Sequence, residues 1–342
     1  MGIKRILVTG SEGYIGTVLM SQLIEKGYQV IGLDTCYYSK PNSQVKPYPL
    51  IKKDIRKIQK KDLIHIDAII HLAALSNDPL GEINPSITKD INYKATIKLA
   101  TLAKKVGVKR FLFSSSCSIY GIAKNGVVNE SSTVNPLTEY AKSKILSEKS
   151  LKKLADNTFC VGLLRNSTVY GSSPALRSDL VVNNLVLSAL IHNNIKMLSD
   201  GTPWRPLIDV RDLANIFIEF LIVRKDKING RIINIGFSEN NLQVKEIAHI
   251  IHQQLTKTKI SFNMNMASDS RSYKVDFSLF HRLFPFIKQY WPLKKSIKDL
   301  IKILNTNTLK QTYSPRLADL ENLQKKGMLD SNLYWKVEVS KK

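Results

Sequence analysis

The chain has 342 residues, 43% of them hydrophobic, which is enough for one large α/β domain and a smaller lobe beside it. Its formal net charge of +23 comes from 51 Lys and Arg against 28 Asp and Glu, but the lysines are scattered, with no arginine-rich arm or aromatic RNA-binding signature, so no nucleic-acid partner is expected. Three well-separated cysteines, Cys36, Cys117 and Cys160, form neither a disulfide framework nor a zinc motif, and the longest apolar run, 216–223, is broken by Glu219; a cytoplasmic protein without metal or membrane contact is expected.

The apolar run Ile6-Leu7-Val8 feeds Thr9-Gly10, and Gly13 and Gly16 open a helical pattern with Ile15, Val18, Leu19 and Leu23 on one face. That spacing predicts a strand, a tight turn and a helix start. Gly10 allows the turn, Gly13 lets backbone approach a pyrophosphate, and Gly16 lets helix and strand pack closely, while the helix N-terminus offers N–H groups to phosphate. Asp34 ends the next apolar run, 30–33. A carboxylate there can accept from both adenosine ribose hydroxyls and would repel a 2′-phosphate, which favours NAD over NADP.

A third short run, 50–56, ends in Asp54-Ile55 and aims a strand edge at the adenine ring. A fourth, 68–74, breaks into the small residues Ala73 and Ala74, leaving room for a cofactor where a doubly wound sheet changes direction. His71 inside it reads as a satisfied core histidine. Pro85 starts a long helix that carries Asn92 and ends near Gly107; a second follows Pro136 and runs to about Ala155. Between them, 110–113 reads as a strand leading into S-S-S-C-S-I-Y-G at 114–121. Strand and helix alternate from residue 3 to about 165, which predicts a parallel sheet. The tail from Ser314 reads as a helix, with Pro315 at its first position, an apolar stripe of Leu317, Leu320 and Leu323 that docks on the protein's own surface, and Gly327 as its stop.

The chemistry centres on Tyr140-Ala141-Lys142-Ser143-Lys144, where Tyr140 and Lys144 share one helix face. A phenol, with a reference pKa of about 10, is a poor base at neutral pH. A neighbouring ammonium, together with the positive charge of oxidised nicotinamide, favours the phenolate. Tyr140 can then take a proton from a sugar hydroxyl while hydride leaves the same carbon. Lys144 would also hold the nicotinamide ribose, and Ser116, at a strand end, would hydrogen-bond the reacting oxygen.

Taken together, T-G-S-E-G-Y-I-G at 9–16, Asp34, Asp54-Ile55, H-L-A-A at 71–74, Asn92, the serine stretch, Tyr140/Lys144 and L-R-N-S-T-V-Y-G at 164–171 stand in the order of a known family. The chain resembles the extended short-chain dehydrogenases/reductases of the NAD-dependent nucleotide-sugar epimerase/dehydratase family, in particular those like UDP-glucose 4-epimerase. The resemblance implies a Rossmann-type doubly wound parallel sheet over 1–165 and about 207–235, a smaller C-terminal α/β lobe over about 166–206 and 236–313 that grips a nucleoside-diphosphate sugar, and a helical tail over 314–342. It implies NAD held by Gly10, Gly13, Tyr14, Ile15, Gly16, Asp34, Asp54, Ile55, Leu72, Ala73, Ala74, Asn92 and Ser114 together with Tyr140 and Lys144. Substrate would meet Ser116, Thr168, Arg177, Arg205 and Arg271, with Arg205 and Arg271 as diphosphate arginines, a task that suits a guanidinium fork. A homodimer through the two long helices is the family's common assembly.

Two departures bear on the reaction. The family's 4,6-dehydratases carry an Asp-Glu pair where this chain has Cys117 and Ser118, and two neutral residues cannot perform that elimination, so dehydratase activity is disfavoured. Cys117 reads as a small buried filler. Asp209 and Thr168 stand where histidine and asparagine are usual, which leaves the sugar and the nucleoside open. The expected reaction is epimerisation, at C4 most often, through a keto-sugar. A dehydrogenase or ketoreductase shares the same residues, and a non-catalytic dinucleotide-binding scaffold would lack use for Tyr140 and Lys144.

Overall fold

The computed structural model describes residues 2–38, 46–76, 84–262, 271–306 and 316–336. Five strands, β1 (Arg5–Thr9), β2 (Gln29–Asp34), β3 (Leu50–Lys52), β4 (Ala68–His71) and β5 (Arg110–Ser116), are followed by β6 (Ile122–Val128) and then by β7 (Cys160–Asn166). With β11 (Arg231–Ile235), all but β6 make one seven-stranded sheet in the order β3-β2-β1-β4-β5-β7-β11, every pair parallel. Apart from the half-exposed edge strand β3, the strands are largely apolar and buried on both faces, as a parallel sheet between helices requires. Alternate residues serve opposite layers: Ile6 and Val8 pack with Leu19, Phe217 and Phe220, while Leu7 packs with Leu99, Phe111 and Phe113.

Helices Tyr14–Glu25 and Val210–Ile222 cover the first face and pack on each other. The second face is covered by the helix Glu139–Leu154 and by the pair Pro85–Lys89 and Ala95–Lys105, which are joined through a π-helical turn, Asp90–Lys94. The fold is thus Rossmann-type α/β. Strand order reverses between β1 and β4, so a crevice opens beyond the carboxyl ends of the strands, where this architecture places ligands.

Smaller sheets stand over that crevice. β8 (Thr168–Tyr170), β10 (Trp204–Asp209) and β12 (Asn241–Gln243) form one; β9 (Asn194–Met197) pairs with β13 (Lys259–Phe262), and β6 with β14 (Ser272–Val275). The first two share a core with Tyr170, Val186, Leu207, Ile247 and Ile297 in it, built largely by helices Val181–His192, Val244–Gln254 and Leu293–Thr306, while β6 and β14 pack Val128, Tyr273 and Val275 against Ile119, Tyr120 and Ala141.

The terminal helix, Arg316–Lys325, returns to the seven-stranded sheet. Leu320 is buried in the second-face core and Leu323 packs against it, with Gly327 at φ +70° after the helix end. Leu317 is a correction to the expected stripe, because it faces the crevice instead. Ser314 and Pro315 lie outside the described residues. Among the described residues, no helix is long and apolar enough to cross a membrane.

Candidate active site

A single cavity of about 770 Å³ runs along the crevice from the loop after β2 to the smaller sheets. One end is the glycine turn. Gly10 has φ +74°, and a Cβ there would lie 2.8 Å from Ala73 N; a Cβ on Gly16 would lie 2.1 Å from the Gly10 carbonyl oxygen. Both positions demand glycine, and they hold β1, the helix and the end of β4 in contact. Gly13 precedes the helix Tyr14–Glu25 without a side-chain cap, and the first turn carries no acid. Unspent N–H groups and the positive dipole end therefore face the cavity, a suitable cradle for phosphate.

Asp34 closes this end. Its carboxylate accepts from Glu12 N at 3.0 Å and Cys36 N at 2.7 Å, while burial raises its pKa above the ordinary carboxylate range. Asp54 and Ile55 line the wall nearby, as do Leu72, Ala73 and Ala74 after β4. Ile15 and Tyr14 are there too, although the Tyr14 hydroxyl is turned into the core, donating to the Gly171 carbonyl at 2.7 Å.

Asn92 departs from expectation, since it does not line the cavity. It is 1% exposed, and its amide pairs with Leu75 backbone, Oδ1 accepting from N at 2.8 Å and Nδ2 donating to O at 3.0 Å. Two complementary hydrogen bonds to one residue hold it behind the wall. Its own carbonyl, in the π turn, accepts from Thr96 and Ser147. Asn92 thereby positions Leu75, which does line the cavity.

The middle of the cavity holds the ionisable pair. Lys144 Nζ is buried, donates to the Ser114 carbonyl at 2.6 Å, and lies 5.4 Å from the Tyr140 ring centre and 4.7 Å from that of Phe113. Burial lowers its pKa to about 7, with Glu148 opposing. Glu148 is held bidentately by Arg165, with Nε–Oε1 at 3.0 Å and Nη2–Oε2 at 2.8 Å, and accepts from Ser115 Oγ. This buried network ties the helix to β5 and β7 and so fixes where Tyr140 and Lys144 stand. Ser116 Oγ donates to Ser118 Oγ at 2.9 Å and accepts from Ser118 N, which aims both hydroxyls along the same wall. Cys117 does not reach the cavity; its thiol is 1% exposed and turned to the Arg165 carbonyl at 3.2 Å, and burial pushes its pKa up.

The far end gathers cations. Thr168 lines it from β8, and Arg205 from β10, where Arg205 Nη1 donates to the Trp204 carbonyl at 3.0 Å and to the Arg271 carbonyl. That bond brings Arg205 and Arg271, far apart in sequence, to one place. Between the two ends, Arg177 pairs with Asp179, Nε–Oδ1 at 3.0 Å, and donates to Ser76 Oγ at 2.9 Å. Asp209 is not in the wall; it accepts from Arg211 N at 2.8 Å, capping the helix Val210–Ile222, and pairs with the Arg211 guanidinium. His71 is a core group, its ring nitrogens 2.6 Å from Thr9 Oγ1 and 2.7 Å from Thr96 Oγ1. Because Thr96 donates to the Asn92 carbonyl, it accepts from Nε2–H, which leaves Nδ1 as acceptor and the ring neutral.

Two sets of wall residues escaped the sequence reading. Asn166 lies at the end of β7, donates to Ser114 Oγ at 2.9 Å and keeps Oδ1 without a partner among the described residues; its place after Arg165 at a strand end was the available signal. Arg316 and Leu317 enter from the tail, and nothing local marks them. The uncapped helix start, the glycine contacts, Asp34 and the open Asn166 acceptor together fit a dinucleotide.

The model of the NAD dependent epimerase/dehydratase family matches residues 6–236. A putative UDP-glucose 4-epimerase of Methanocaldococcus jannaschii is 29% identical over 260 residues, 73% of this chain and 82% of that protein. The solved structure of MoeE5 in complex with UDP-glucuronic acid and NAD is similar at TM-score 0.78 and 25% identity, covering 89% of this chain and 99% of that one. An NAD dependent NDP-hexosamine 5,6-dehydratase of tunicamycin biosynthesis, TunA, shares the fold at TM-score 0.79 and 23% identity, covering 90% of this chain and 100% of that one.

Proposed function

This chain belongs to the NAD dependent epimerase/dehydratase family, and from that premise we propose that it epimerises a nucleoside-diphosphate sugar, at C4, through a keto intermediate. What carries this reading is one continuous cavity that joins the glycine turn and Asp34, the Tyr140/Lys144 pair with Ser116, and the arginines Arg205 and Arg271. The first set would hold NAD: Gly10, Gly13, Tyr14, Ile15 and Gly16 at the phosphates, Asp34 at the adenosine ribose, Asp54 and Ile55 at the adenine, with Leu72, Ala73, Ala74 and Ser114 beneath the nicotinamide half. Asn92 contributes by holding Leu75. The last set would hold the sugar nucleotide's diphosphate, with Thr168 nearer the sugar and Arg177 between the sugar and the dinucleotide.

When bound, NAD supplies an acceptor and donor of hydride at the sugar carbon. Tyr140 takes the hydroxyl proton at its phenolic oxygen and returns it to the sugar oxygen. Lys144, cationic beside it, favours the phenolate, and its hydrogen bond to the Ser114 carbonyl keeps the ammonium on station. Ser116 orients the reacting oxygen. Elimination of the 4,6 type finds no support, since Cys117 is buried against the Arg165 carbonyl and Ser118 carries no carboxyl. A homodimer through the helices Ala95–Lys105 and Glu139–Leu154, in the cytoplasm, completes the proposal.

The test is to incubate the purified protein with UDP-, dTDP-, GDP- and CDP-sugars without added cofactor, following products by NMR and the reduced-nicotinamide absorbance. A stereoisomer accumulating over many turnovers without net reduction is expected. A stoichiometric keto-sugar, or turnover only with external oxidant or reductant, would replace epimerase by dehydrogenase or ketoreductase. An unsaturated sugar would bring the dehydratase reading back.

A further inference from the structure

The chain after the terminal helix is fastened to the loop that follows Asp34. Trp335 Nε1 donates to the Thr35 carbonyl at 2.9 Å, and the Tyr37 hydroxyl donates to the Leu333 carbonyl. Arg56 Nη1 donates to the Asn332 carbonyl at 2.9 Å, and its guanidinium lies 3.6 Å from the Tyr334 ring centre. Leu320, Leu329 and Leu333 are buried in the sheet's second-face core. This anchoring places Arg316, the first described residue of the segment, in the cavity wall.

There the Arg316 guanidinium stands 4.5 Å from the Tyr38 ring centre, within electrostatic range of Arg177 and Asp34, and has no hydrogen-bond partner among the described residues. None of its five donors is used among the described residues. Burial and the like charge of Arg177 disfavour the cation, lowering its pKa. Asp179 compensates Arg177, with which it is paired, and acts favourably on Arg316 from a distance, so the Arg316 fork is the one left to meet a further anion. The dinucleotide's pyrophosphate is the anion that falls between Asp34, at the ribose end, and Tyr140, at the nicotinamide end, and Arg177 is felt electrostatically by both Tyr38 and Tyr140.

We propose that the C-terminal segment is a clasp over the bound dinucleotide, with Arg316 gripping its pyrophosphate. This rests on reading the cavity as the NAD site. The clasp would make cofactor release depend on Arg316 letting go, and so keep NAD resident through many turnovers.

The test measures NADH binding and release by fluorescence, and adenosine, which lacks phosphate, by calorimetry, on the full-length protein and on Arg316→Ala, Arg316→Lys and Asp34→Ala. Arg316→Ala is expected to weaken NADH by about tenfold or more, mainly through faster release, with adenosine affinity and the melting temperature of the cofactor-free protein unchanged. Arg316→Lys should recover part of the loss, as a point charge without the fork. NADH bound and released as by the parent, or NADH and adenosine weakened equally, would overturn the clasp. Asp34→Ala should weaken both ligands whatever Arg316 does. Parent-like binding of both by Asp34→Ala would instead remove the cofactor reading, and the clasp with it.

Discussion

Tyr140 can serve as a base only while a cation stands beside it, and the residues around Lys144 explain how that cation is kept in a buried place. The ammonium donates to the Ser114 carbonyl, lies over the Phe113 ring, and has Glu148 on the same helix as counter-charge. Tyr140→Phe is expected to lower kcat by roughly 10²–10⁴-fold, the usual worth of a positioned acid/base group, without changing the NAD content measured after denaturation. His71 carries a prediction about stability. Burial lowers its pKa from 6.5 to about 3, so between those values the unfolded chain binds a proton that the folded one does not. Folding stability at this site therefore rises with pH across that window and is lost as pH falls through it. Urea unfolding at a series of pH values should show the rise, and His71→Gln should flatten it.

At the level of elements, the helix Glu139–Leu154 is placed by one buried ion pair rather than by propensity. Glu148→Ala would leave Arg165 uncompensated beside Tyr120 and Cys117, and is expected to cost about 3–5 kcal/mol in a denaturant titration. On the opposite edge, Leu320→Ala should cost about 2–5 kcal/mol by opening a hole where the terminal helix docks. The elements differ in how far they could be read from the residues. β1, the glycine turn, β2 and β4 are legible because each is fixed by local pattern: apolar runs, glycines where a Cβ would collide, and a carboxylate at a strand end. The long helices and their starts near Pro85 and after Pro136 are legible for the same reason. β12, β13 and β14 have only three or four residues, so an alternation as brief as Lys259–Phe262 or Ser272–Val275 is too short to stand out, and like β6 they pair with strands far off in sequence. The π turn at Asp90–Lys94 has no residue signature either, and it redirects Asn92 from the cavity to Leu75. Arg316 and Leu317 are the extreme case: their meaning depends on a chain return across the whole sheet.

For the whole molecule, the +23 charge has a local sense once the cavity is seen: Lys144, Arg177, Arg205, Arg271 and Arg316 all line it, a concentration suited to two diphosphates. On the outer face of the sheet's helices, Leu146 is exposed among Lys142 and Lys149. Light scattering is expected to give twice the 38.7 kDa chain mass, and Leu146→Asp to return it to that of the single chain. The central claim is that the sugar's own hydrogen leaves and comes back. Running the epimerisation in D₂O, on whichever sugar nucleotide turns over, tests it most directly. The expected product has inverted stereochemistry and no solvent deuterium at the inverted carbon. Deuterium there would mean that a proton was removed from carbon and replaced from solvent, and would contradict hydride abstraction and return.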